Sequence, residues 1–363
     1  MIGSYRAIAI LVTAVVAMPA EQTRFSLLGE PPGVASLTFV SPTVGFALAD
    51  SGIARTDNAG ESWRLIPFPH SFHKGSAYSA LFSARFSIWL QGLVRRSGDE
   101  SVVWRSKDGG SSWAEMQGPP AGTTLLWLSP NGDEAWAGGG RSVAKEIVPE
   151  GQINCPQRLE FTVWAPILFH KLRNSESWRE EPLPRFNGCP VSHVLFLDAD
   201  HGIAVAQNSV FFTSDRGARW QLGEVARPKQ KVPWLEANLL PAASLVAIPG
   251  NPTSTVLSFQ SGEILVSEDS GRHWTEIVEG GQLWTRRTGN GNYGAFCADR
   301  DGKIWWSLSG EGQLMESRNR GRSWAALTSE FRLQDLIAGK GLCVAVDSKG
   351  RLLRVEAPQS EQW

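Results

Sequence analysis

The chain has 363 residues, with 35 Lys+Arg against 36 Asp+Glu and a formal net charge of −1. That balance excludes a strongly basic nucleic-acid binder, and no nucleic-acid partner is expected. At 42% apolar and 20% charged, the composition is that of a folded globular protein and excludes wholesale disorder.

Residues 1–20 read as a targeting segment. Arg6 supplies a short positive start, and Ala7–Ala17 is an apolar run of signal-peptide length with cleavage sites after Ala17 or Ala20. The run is short for a membrane-spanning helix, which needs about 20 apolar residues. An uncleaved anchor is the alternative. No later stretch has the length to span a membrane as a helix. The expectation is an exported protein, periplasmic or secreted and not transmembrane after cleavage, with one domain over residues 21–363.

From residue 56 onward the chain repeats one turn motif. Its copies are Thr56-Asp57-Asn58-Ala59-Gly60-Glu61-Ser62-Trp63, Ser106-Lys107-Asp108-Gly109-Gly110-Ser111-Ser112-Trp113, Thr213 to Trp220 with Asp215 and Gly217, Ser267 to Trp274 with Asp269 and Gly271, and Ser317 to Trp324 with Asn319 and Gly321. A sixth copy, Lys171 to Trp178, keeps the Ser-Trp end and loses the Asp and Gly. These resemble Asp-box (BNR) repeats. The chemistry fits a hairpin turn. The Asp or Asn side chain accepts from backbone N–H groups of its own loop, Gly adopts positive φ, and Trp opens the next strand. Ca²⁺ binding is the weaker alternative, because each copy has one acidic position and a Ca²⁺ site takes 6–8 oxygens.

Successive motif tryptophans stand 50, 65, 42, 54 and 50 residues apart. That is close to the length of a four-stranded propeller blade, about 40–50 residues. The unit is clearest in the fourth blade, with strands at Val191–Ala199, Gly202–Gln207, Ser209–Ser214 and Trp220–Val225. After Trp324 come three strands, Leu333–Ala338, Leu342–Asp347 and Arg351–Ala357. Thr23–Gly29 is expected to supply the fourth. The predicted fold is therefore all-β, a seven-bladed β-propeller closed by an N-terminal strand completing the last blade. A sixfold ring with a trailing hairpin is the runner-up. Residues 139–160 are an insertion in the third blade and explain the 65-residue spacing.

Strand alternation puts the motif turns and the inner turns on one face, and the remaining loops on the other. Cys155 and Cys189 fall in loops of that second face, and a disulfide between them is expected to pin the insertion. Cys297 and Cys343 fall in strands and read as buried small apolar residues. The second face also gathers Arg95, Arg96, Arg185, Trp234, Trp284, Arg286 and Arg287, residue types common at binding hot spots. They form the predicted partner surface. The motif-turn face carries Arg216, Arg219, Arg272, Arg318, Arg320 and Arg322, read either as a solvated rim or as a stripe that docks an acidic partner.

Catalytic signatures are absent from the sequence: there is no G-x-S-x-G, H-E-x-x-H, C-x-x-C or P-loop. His70 and His73 form a loop pair without an acidic partner. No catalytic residue, metal or cofactor is predicted. The unit Phe39, Gly45, Ala47 and the Trp63 motif, repeated in Phe196, Gly202, Ala204 and the Trp220 motif, resembles the photosystem II assembly/stability factor family over residues 23–357. The resemblance implies an exported seven-bladed propeller that acts without catalysis as a protein-binding assembly factor, with a membrane-protein client. The second hypothesis is a sialidase-like or other glycan-hydrolysing propeller, for which Tyr293 with Arg286 and Arg287 is the best candidate site and a glycan is the ligand.

Overall fold

A computed structural model describes residues 23–29, 34–49, 51–69, 77–82, 86–95, 99–148, 159–184, 190–206, 209–226, 242–259, 263–278, 296–309, 311–339 and 342–357. All its regular elements are strands, arranged as a seven-bladed β-propeller. After β1 (Arg24–Leu27), blade 1 holds β2 (Val34–Phe39), β3 (Gly45–Ala49), β4 (Gly52–Thr56) and β5 (Arg64–Pro67). Blade 2 holds β6 (Ala77–Phe82), β7 (Ile88–Arg95), β8 (Asp99–Ser106) and β9 (Ala114–Gln117). Blade 3 holds β10 (Thr123–Leu128), β11 (Ala135–Val148), β12 (Leu159–Lys171) and β13 (Arg179–Glu181). Blade 4 holds β14 (His193–Phe196), β15 (Gly202–Ala206), β16 (Ser209–Thr213) and β17 (Gln221–Leu222). Next come β18 (Glu224–Ala226) and the blade 5 strands β19 (Ala242–Ala247), β20 (Thr255–Phe259), β21 (Ile264–Ser267) and β22 (His273–Val278). Blade 6 holds β23 (Phe296–Ala298), β24 (Trp305–Leu308), β25 (Leu314–Ser317) and β26 (Ala325–Ala326). Blade 7 holds β27 (Leu333–Gly339), β28 (Leu342–Asp347) and β29 (Leu352–Glu356).

The ring closes as expected. β1 pairs antiparallel with β29, Arg24 opposite Glu356 and Leu27 opposite Leu353. Leu28 then enters a core with Phe39, Leu342, Val344 and Leu352, which joins blade 7 to blade 1. Each of the seven blade interfaces has such a core among the described residues. A blade buried on both faces has no use for polar alternation. That is why β3, β15 and β20 are buried along their whole length.

The Phe-to-Gly spacing also has a physical reason. Phe39 lies directly across from Gly45, and Phe196 across from Gly202. A Cβ on either glycine would stand 2.7 Å from the phenyl ring. Glycine makes room for the aromatic at the end of the first strand.

Three points differ from the sequence reading. Trp220–Val225 is not one strand: β17 stays in blade 4, whereas β18 crosses to blade 5 and pairs in parallel with its outer strand β22. The break is at Gly223, whose N–H donates to Val210 and where a Cβ would meet the Gly271 carbonyl at 2.7 Å. Cys297 and Cys343 are buried but not free, since they form a disulfide between blades 6 and 7. The ring brings the two strands face to face, which their separation of 46 residues does not reveal. In blade 3, residues 141–148 pair with 159–165, so this part of the insertion prolongs β11 and β12. Cys155 and Cys189 lie outside the described residues.

Candidate partner-binding surface

The motif turns share one hydrogen-bond plan. The hydroxyl of the first residue accepts from the glycine N–H at 2.7–3.0 Å, as Thr56, Ser106, Thr213, Ser267 and Ser317 do for Gly60, Gly110, Gly217, Gly271 and Gly321. The Asp or Asn oxygen accepts from the N–H four residues on, at 2.9–3.0 Å, in Asn58, Asp108, Asp215, Asp269 and Asn319. Two successive residues take positive φ in every intact copy, for example Arg216 and Gly217 or Arg320 and Gly321. Hydrogen bonds from Ser112 and Ser106 hold the Asp108 pKa down at about 2. The tryptophans anchor the strands that follow. Trp63 donates to the Gly29 carbonyl, Trp178 to Gln117 and Trp274 to Gly271. Trp220 is buried between blades 3 and 4, and Trp113 and Trp324 pack on their neighbouring cores.

These turns sit on the same face as the inner turns of their own blades. Ala59 donates to Thr43, Gly109 to Phe86, Arg216 to Asp200 and Ser270 to Thr253. On this face a cleft of about 800 Å³ opens between blades 5 and 6. Ile248, Val266, Ile277 and Trp305 contribute its apolar lining. Arg318, Arg320 and Arg322 line it from the blade 6 motif turn, joined by Lys303 from the inner turn. Arg318 pairs with Glu316 at 2.6 Å, and Arg320 with Glu268 across the blade boundary at 3.2 Å. Lys303 and Arg322 make no ion pair among the described residues. His273 bonds to Asp269, and that bond raises its pKa above the usual histidine range.

Blade 3 departs from the plan. Ser175 stands where the other turns have glycine, and neither it nor Asn174 takes positive φ. Lys171 replaces the accepting hydroxyl and is buried, its ammonium donating to the Glu176 carbonyl. Burial lowers its pKa, and Arg105 adds to the effect. A groove of about 720 Å³ lies between blades 2 and 3 here, lined by Met116, Pro119, Pro120 and Trp178.

The partner residues expected on the opposite face are not brought into view. Arg95 ends β7, its backbone opposite Asp99. Arg96, Arg185, Trp234, Trp284, Arg286 and Arg287 lie outside the described residues, as do Tyr293, His70 and His73. Lys303 and Glu268 escaped the sequence reading. The signal was the run Arg300-Asp301-Gly302-Lys303, an inner turn that strand alternation places beside Arg318, Arg320 and Arg322. No helix among the described residues is long and apolar enough to cross a membrane.

No protein-family model matches the chain, and a search of curated proteins finds no match. Solved structures do match. YCF48 from Cyanidioschyzon merolae is 15% identical, covers 93% of this chain and 99% of its own, and gives a TM-score of 0.54. A second structure, YCF48 bound to D1 peptide, is 13% identical over 94% of this chain and 100% of its own, with a TM-score of 0.53. A Niastella koreensis GH74 enzyme covers 90% of this chain and 61% of its own at 13% identity, with a TM-score of 0.37. At these identities the likeness shows the fold alone, a seven-bladed β-propeller.

Proposed function

We propose that this chain is an exported, non-catalytic propeller that binds another protein and assists its assembly. Its repeated turns are Asp-box turns. The observation that carries the reading is the cleft between blades 5 and 6, where Lys303 and Arg322, without an ion pair among the described residues, stand beside Arg318 and Arg320 in a lining that also holds Glu268, Asp269 and Asp301. Cations set around an apolar floor suit an acidic segment of a partner, because opposite charge steers the encounter and fixes its register. The peptide-bound state of a structural neighbour supports a protein ligand. Export is supported by the N-terminal segment and by a disulfide, a bond typical of oxidising compartments. Arg95, Arg96, Arg286 and Arg287, grouped by the sequence alone, are the second candidate surface.

Affinity co-purification from the native envelope fraction tests this. Wild type is compared with a variant carrying Lys303, Arg318, Arg320 and Arg322 changed to Ala, and with another carrying Arg95, Arg96, Arg286 and Arg287 changed to Ala. The expected result is a protein retained by wild type and lost from the first variant. Loss from the second alone moves the surface to the other face. No specific protein retained by wild type refutes the binding role.

A further inference from the structure

The outer edge of blade 5 is covered by the chain itself. Glu224 donates its N–H to the Arg272 carbonyl at 2.8 Å, and β18 then runs parallel to β22 with Val225 opposite Trp274. Val225 packs on the core between blades 4 and 5, and Trp274 is fully buried.

Blade 3 has the same edge without the cover. Arg179 pairs with His170 as Thr275 pairs with Val266 in blade 5, so Trp178 corresponds to Trp274 and Glu180 to Glu276. Strand alternation turns the N–H and C=O of Trp178 and the N–H of Glu180 away from β12. β13 is the last strand of its sheet, and no strand of the described residues lies beyond it. Trp178 is only partly buried, and it lines the groove of about 720 Å³ with Met116, Pro119 and Pro120.

The difference originates in the connections between blades. Gly118 and Gly223 each end an outer strand and donate to the third strand of their own blade, Gly118 to Ser101 at 2.9 Å and Gly223 to Val210 at 2.8 Å. The next residue is Glu224 in one case and Pro119 in the other, where Pro120 follows. Proline has no N–H. The connection entering blade 3 therefore cannot begin the ladder that β18 begins, and the edge stays open. An open edge is a template for another strand.

We propose that the rim groove between blades 2 and 3 takes an extended segment of a partner protein, which pairs with the outer edge of β13 as β18 pairs with β22. The segment runs parallel to β13 and sets a small or β-branched apolar residue opposite Trp178, as Val225 stands opposite Trp274. Backbone hydrogen bonds hold the segment and that side chain selects it. Lys171 already occupies the Glu176 carbonyl, the counterpart of Arg272, so pairing begins at Trp178. The charges at the edge are neutralised in place, Arg179 by Glu181 and Glu180 by Arg141, so the segment needs no net charge. In this it differs from the acidic segment suited to the cleft between blades 5 and 6, and it does not depend on that reading.

Amide NMR of the full chain, titrated with the uncharged peptide acetyl-Gln-Thr-Gln-Val-Thr-Gln-Thr-amide, tests the site. The peptide carries no acid that would draw it to the cationic cleft. The expected result is a shift of the Trp178 and Glu180 amides and slower exchange of both with solvent. Glu180→Pro removes the outward N–H at an edge position where proline is tolerated, and is expected to weaken binding about tenfold. Glu180→Ala loses only an exposed side chain and is expected to stay within about twofold. Should Glu180→Pro fail to fold, the peptide supplies the test. N-methylation of the Thr after Val removes the donor to the Trp178 carbonyl and is expected to cost about tenfold, while N-methylation of the Val, whose N–H faces outward, leaves binding unchanged. No shift at Trp178 and Glu180 with millimolar peptide overturns the proposal, as do equal losses in the two Glu180 variants or with the two methylated peptides. Shifts at the same amides on concentrating the protein alone, with a dimer in sedimentation, give the edge to a second copy and overturn it too.

Discussion

Gly217 lies directly beneath the Trp136 ring, so that a methyl group on its Cα would stand 2.3 Å from Cη2. The relationship joins the blade 4 turn to blade 3, and it recurs around the ring. Gly110 meets Ile66, Gly271 meets Ile203 and Gly321 meets Ile277 in the same way. The motif glycine thus does two jobs. It permits positive φ, and it seats each turn against the preceding blade.

Gly217→Ala separates these roles when set beside Gly350→Ala. Gly350 also has positive φ, at +79°, but nothing lies within 4 Å of its added Cβ. The Gly350 substitution is expected to cost about 1–2 kcal/mol for left-handed strain alone. Gly217→Ala adds overpacking worth about 1–3 kcal/mol more. Urea unfolding of the two variants measures the difference, and equal losses would show that seating contributes nothing.

The Cys297–Cys343 bridge closes a loop with a sequence separation of 46 between blades 6 and 7. Chain-entropy arguments for a loop of that size give about 4 kcal/mol. Cys343→Ala is expected to lower the unfolding midpoint sharply. Wild type unfolded in the presence of a thiol reductant should approach the variant, while the variant itself should be indifferent to reductant.

Ring closure rests on a short segment in which neighbouring leucines have opposite surroundings. Leu28 is 6% exposed and packs in the core between blades 7 and 1, whereas Leu27 is 63% exposed. Leu28→Ala is therefore expected to cost about 2–5 kcal/mol. Leu27→Ala should stay within about 0.5 kcal/mol of wild type. Thermal denaturation of both checks this.

Asp108 links the turn to pH. Its folded pKa, about 2, lies below the ordinary aspartate value of 3.8, so its support for the turn is present above about pH 4 and is lost as the pH falls through about 2. Asn58 and Asn319 make the same backbone contact without ionising. Asp108→Asn should therefore keep the turn and remove its share of the acid sensitivity, while Asp108→Ala should lose the turn's support at neutral pH. Acid titrations of unfolding midpoint distinguish the two.

Much of the propeller was legible in the residues because its signals are local. Turn chemistry is contained in eight residues, the Phe39–Gly45 pair spans one hairpin, and the regular spacing of Trp63, Trp113, Trp274 and Trp324 counts blades. The closing role of residues 23–29 followed from a last blade that was one strand short. The arginines of blades 4–6 were visible too, but the grouping of Arg318, Arg320 and Arg322 with Lys303 in one cleft was not. That cleft needs two turns of one blade and part of a neighbouring blade at once.

What the sequence determined by itself is the repeat, its turns and the order of strands, since each depends on contacts a few residues apart. What only the tertiary structure decided lies between blades or across the width of one. Cys297 meets Cys343 because strands of adjacent blades face each other. β18 leaves its own blade because Gly223 breaks the strand beside an open outer edge. In each case the partners are distant along the chain, and it is the radial packing of two-sided sheets that brings them together.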